Sequence, residues 1–143
     1  MRSDALSPQD ALVAVMIATS AADDTMTTPE FHEITAIVGV LPVFEGYDTD
    51  RISQVGALVS DLFQEEDGLD ALLGLIEDAL PAHLRETAYA LACDVAAADL
   101  RVAMTELRML EELRHQLGVD RLTSAAIERG SRARHQRMQA EQL

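Results

Sequence analysis

A chain of 143 residues is long enough for one core of ordinary size and is read as one domain. Hydrophobic residues make up 48% of it but aromatics only 3%, so the core has to be built from Ala, Leu, Val, Ile and Met. That composition favours helices and argues against the aromatic, β-branched make-up of sandwiches and barrels. A net charge of −14 repels nucleic acid and anionic lipid and attracts cations or basic partners, and the single cysteine, Cys93, excludes a disulfide framework.

Seven helices can be read in order. The first opens at Ser7, with Pro8 in its first turn, and runs to about Ala22. Its stretch Ala11–Ala18 is apolar on every face, as in a helix surrounded by others. The second starts at Thr27-Thr28-Pro29-Glu30, a capping box, and is expected to turn Phe31, Ile34, Val38 and Leu41 inward. A loop over 42–47 follows. Asp48 or Thr49 then caps a third helix with the stripe Ile52, Val55, Val59, Leu62 and Phe63.

Glu65-Glu66-Asp67-Gly68 forms a junction, and a short fourth helix carries Leu69, Leu72, Leu73 and Ile76. Pro81 begins the fifth, with Leu84, Ala88, Leu91, Ala92 and Val95. The sixth spans about Ala103 to Leu117 on Leu107, Leu110, Leu113 and Leu117, and Gly118 stops it. The seventh starts near Asp120 and fades into a basic end: residues 129–143 hold four arginines against Glu141. No segment alternates with period two, so no strands are expected. The expected fold is all-α, about seven helices in a compact orthogonal bundle. The domain is residues 1–130, and 131–143 is a basic helix end or tail.

The two halves, about 7–66 and 81–130, share a pattern. Sliding the chain by 76 places Ala21-Ala22-Asp23 over Ala97-Ala98-Asp99 and Glu30 over Glu106. In each half an apolar helix ends in Ala-Ala-Asp, and Glu opens an amphipathic helix seven residues on. Thr49-Asp50-Arg51-Ile52-Ser53 echoes Val119-Asp120-Arg121-Leu122-Thr123 in the same way. Duplication is the inference.

Asp23, Asp24 and Asp99 stand at helix C-termini, where a carboxylate faces the negative end of the macrodipole at a cost of about 0.3–1 kcal/mol. A divalent cation held by these acids and by the free carbonyls of the helix end would reverse that cost, with Glu30 and Glu106 closing over it. The competing reading is a structural turn: Asp bonds nearby backbone amides, and Glu30 is the capping-box partner of Thr27. In the second half Ala103 has no capping oxygen and only one Asp remains.

The duplicated Ala-Ala-Asp…Glu pattern on an acidic seven-helix chain resembles the TerB-like tellurite-resistance family over roughly residues 5–130. The family usually has Ala-Asp-Gly at this turn, where this chain has Asp24 and Leu100. The resemblance implies a role in tellurite or stress resistance and metal binding through the acidic junctions, with Asp23, Glu30, Asp99 and Glu106 as inherited ligands and Asp24 added. Leu100 weakens the second site.

Other chemistry is poorly supplied. Asp23-Asp24-Thr25-Met26-Thr27-Thr28 lacks the alternate acids and central glycine of a calcium loop. His32, His83, His115 and His135 are scattered and read as surface residues, and with one Cys they make no zinc set. There is no phosphate loop and no nucleophile elbow, so the chain is not expected to be an enzyme. The expectation is a cytoplasmic, divalent-cation-binding module. Its alternative is an acidic interaction or scaffold domain recognising a basic or membrane-associated protein partner, with a homo-oligomer left open. No apolar run is long enough to cross a membrane.

Overall fold

The computed structural model describes residues 6–21, 28–98 and 104–139, except the side chains of 104–106. Seven α-helices occur among them: α1 (Pro8–Ser20), α2 (Thr28–Val40), α3 (Arg51–Phe63), α4 (Gly68–Ala79), α5 (Arg85–Ala97), α6 (Met104–Leu117) and α7 (Arg121–Arg134). Short 3-10 turns at Pro42–Phe44 and Ala82–Leu84 complete the order, and no strand occurs among the described residues.

Helix α1 is the axis of the bundle, packing against α2, α3, α4, α5 and α6. Every residue from Ala11 to Ala18 is buried, as its all-round apolarity requires. Each enclosed Leu, Val or Met there contributes about 1.5–3 kcal/mol of transfer free energy. Thr19 and Ser20 are also buried, and their hydroxyls donate to the carbonyls of Val15 and Met16 at 2.8 and 3.0 Å, so the last turn leaves no hydroxyl unbonded.

The start of α1 is fixed by a reciprocal cap. The Asp10 amide donates to Ser7 Oγ at 3.0 Å, and the Ser7 amide donates to Asp10 Oδ2 at 3.4 Å. Gln9 donates to the carbonyls of Val43 and Glu45, tying the 42–47 loop to the same end.

Two inward stripes differ from expectation by a rotation. On α2 the buried face is Glu30, Ile34, Ile37 and Val38, Leu41 just beyond the helix is only partly buried, and Phe31 is 49% exposed. On α6 the face runs through Met109, Leu113 and Leu117, leaving Leu107 48% exposed. In both helices two adjacent stripes are apolar, and the neighbouring helices choose between them. Gly118, the expected stop, adopts φ 69°, its amide bonded to His115 and that of Val119 to Arg114, which makes a Schellman ending.

Candidate functional site

Of the predicted ligands, Glu30 alone has a described side chain. Asp23, Asp24 and Asp99 lie outside the described residues, as does the side chain of Glu106, whose backbone is in the first turn of α6. Thr27, the expected capping partner of Glu30, lies outside them too. Glu30 is the third residue of α2 and only 2% exposed, and it is engaged in an interaction rather than free. A carboxylate so far from water is stable only with polar or cationic company. Among the described residues no group of three or more His, Cys, Asp or Glu is arranged to hold a metal.

The first junction adjoins a feature that sequence periodicity did not reveal. Helices α2 and α3 both pack on α1, and between them a groove of about 540 Å³ opens to solvent. Ile17 and Ala21 of the α1 end line it on one side, with Phe31 and Ile34 of α2. Ile52, Gly56, Val59 and Phe63 of α3 form the facing wall. Ala21 and Phe31 flank the segment that carries Asp23, Asp24 and Glu30. The signal available in the sequence was the ambiguity of Phe31, the one aromatic of α2, which could belong to either of two stripes.

The other polar clusters serve the fold. Asp10, 1% exposed, takes a forked pair of bonds from Arg51, Nε to Oδ1 at 2.9 Å and Nη2 to Oδ2 at 2.5 Å, and a third from the Tyr47 hydroxyl at 2.9 Å. The Arg51 guanidinium holds the Asp10 carboxyl below the usual carboxylate range, although burial opposes it. Burial and the Asp10 contact raise the Tyr47 hydroxyl. Elsewhere, the Tyr89 hydroxyl donates to Glu128 at 2.5 Å, joining α5 to α7. Burial pushes the nearby Cys93 thiol up to about 12, so it is held as an unreactive thiol.

The C-terminal end of α7 is anchored in two places. Arg134 bonds Asp94 of α5 at 2.5 Å, and His135 lies 3.3 Å from Glu33 of α2 through Nε2 and 2.8 Å from the Ser131 carbonyl through Nδ1. His135 is thus partly buried, whereas His32, His83 and His115 are exposed as expected.

An acidic all-α bundle with a carboxylate buried beside its first interhelical junction is the class of protein these features define. The model of the TerB family, described as tellurite resistance protein TerB, matches residues 9–129, and the chain belongs to that family. No curated protein and no solved structure matches it. No helix among the described residues is long and apolar enough to cross a membrane.

Proposed function

We propose that this TerB-family chain is a non-catalytic, cytoplasmic module of a tellurite- or stress-resistance system that binds a divalent cation at its first junction. Asp23, Asp24 and Glu30 are the ligands. The observation that carries this reading is the burial of Glu30 on the first turn of α2, seven residues beyond Asp23 in the chain. A hard cation suits an all-oxygen set, and a desolvated carboxylate binds it more strongly than an exposed one. The cation would neutralise acids that follow the first helix closely in sequence. The second junction, with Asp99 and Glu106, is the duplicated counterpart in the half 81–130, and Leu100 leaves it the weaker site.

Titration calorimetry of the metal-stripped protein with magnesium, calcium, manganese and zinc tests this. Wild type should bind at least one of them with a dissociation constant below about 1 mM, within the range of carboxylate sites. Asp23→Asn and Glu30→Gln should each abolish that binding, while Asp99→Asn leaves it intact. Circular dichroism separates lost ligation from lost folding, and Asp24→Asn supplies a further variant if Glu30→Gln unfolds. No binding below the millimolar range, or equal binding by folded Asp23→Asn, sinks the proposal.

A further inference from the structure

The groove between α2 and α3 is too apolar to be ordinary surface. Phe31 stands at its rim, 49% exposed, and Ile52 and Phe63 are only partly buried. Each wall is a helix of 13 residues, about 20 Å long, and a third helix laid between them would meet apolar atoms from both.

Charge selects the occupant. The chain runs directly from Gln64, at the groove's end, into Glu65, Glu66 and Asp67, all exposed, and Asp61 is exposed one turn earlier. None of these four acids is ion-paired among the described residues. They crowd the short junction between the end of α3 and the start of α4, so four carboxylates lie within seven residues of chain. The nearest arginine in sequence on the groove helices, Arg51, is committed to Asp10. A second copy of the chain would bring another net charge of −14 to this surface, and an anionic bilayer would be repelled likewise.

We propose that the groove receives the apolar face of an amphipathic helix from a partner protein, a helix whose other face is basic. Leu, Ile or Phe side chains at i, i+3, i+4 and i+7 would fill the space between Phe31 and Phe63, and Lys or Arg residues would lie against Glu65–Asp67. Gly56 matters here: a Cβ built on it meets only the Ile17 Cδ1 atom at 3.8 Å, so its lack of a side chain keeps the floor open rather than relieving a clash. This inference does not depend on the cation.

The test uses a fluorescent helical peptide of about 14 residues, Leu at that spacing and Lys elsewhere, with a Leu/Glu peptide of the same spacing as control. Anisotropy should show the full-length protein binding the Leu/Lys peptide and not the Leu/Glu one. Filling the groove without changing charge, by Gly56→Leu or by Ser60→Phe at another lining position of α3, or removing its rim by Phe31→Ser, should weaken binding about tenfold or more, as loss of a central anchor does. Glu65→Gln/Glu66→Gln/Asp67→Asn should weaken it less and flatten its salt dependence. Two filling variants are included so that one misfolded protein, seen by circular dichroism, does not decide the matter. Equal binding by the filled variants would mean mere charge attraction and overturn the proposal. So would equal binding of the Leu/Glu peptide, a dimer in sedimentation that Gly56→Leu dissolves, or tight binding to phosphatidylglycerol vesicles.

Discussion

Asp10 sits in a nearly dry position at the start of α1, where a carboxylate survives only if its lone pairs are used. Ser7, Tyr47 and Arg51 use them, and Arg51 reaches in from another helix 41 residues away. Because the folded carboxyl titrates below its unfolded value of about 3.9, the pair contributes its full stability above that pH. That contribution is lost as the pH falls through the folded value. Asp10→Asn, which leaves Arg51 without its partner, should therefore lower stability by about 2 kcal/mol at neutral pH. Urea unfolding at pH 7 and again below pH 3 should show the gap between the two proteins closing in acid. A gap that stays constant would mean that shape rather than charge holds the cluster. Residue identity alone could not announce this pairing. Asp50-Arg51 and Asp120-Arg121 are near copies in sequence, yet only Asp120 caps its helix, accepting from the Thr123 amide at 2.8 Å. Asp48, upstream of the other copy, accepts instead from the Asp50 amide, and Arg51 turns to Asp10.

At the scale of the element, three start and stop signals held because they act over one turn, whereas neither Asp48 nor Thr49 caps α3, whose N-cap is Asp50 without a side-chain bond, and α5 begins at Arg85 after a 3-10 turn rather than at Pro81. Ser7-Pro8 opens α1, Asp120 opens α7 and Gly118 ends α6, each through bonds within five residues. The junction from α3 to α4 is the tightest of these. A Cβ on Gly68 would lie 1.7 Å from the Leu62 carbonyl oxygen, and that carbonyl already accepts from the Glu65 amide at 3.0 Å. Glycine is needed there for close approach, not for a positive φ. Gly68→Ala should force the two helices apart and lower stability by about 2–4 kcal/mol, measured by denaturant unfolding. A loss well under 1 kcal/mol would show that the turn yields without disturbing α3 or α4. The inward stripes were less legible: Phe31 and Leu107 belong to apolar rows that a neighbour could have covered but does not.

Across the whole molecule, a chain with 25 acidic against 11 basic residues repels itself when it is compact. Raising sodium chloride from about 10 mM to 200 mM shrinks the Debye length from about 30 Å to below 10 Å. The melting temperature should rise by several degrees over that range, as it should for a compact chain relieved of about 1 kcal/mol of repulsion. Scanning calorimetry at fixed pH would measure it, and an unchanged melting temperature would mean that local pairs already offset the net charge. The same excess of carboxylates makes both the cation at the first junction and a basic helix in the groove reasonable occupants.

By itself the sequence determined that the protein is helical, how many helices it has, where α1 and α7 begin and α6 ends, and that α1 lies at the centre. Composition, caps and periodicity are local quantities, and an all-apolar helix has nowhere else to go. It also pointed to the family. The tertiary structure decided which of two apolar stripes α2 and α6 bury, that Asp10 meets Arg51, and that α2 and α3 leave a groove beside the first junction. Those outcomes depend on how far apart helices settle on a shared neighbour, a distance set by many side chains at once and written in no single segment.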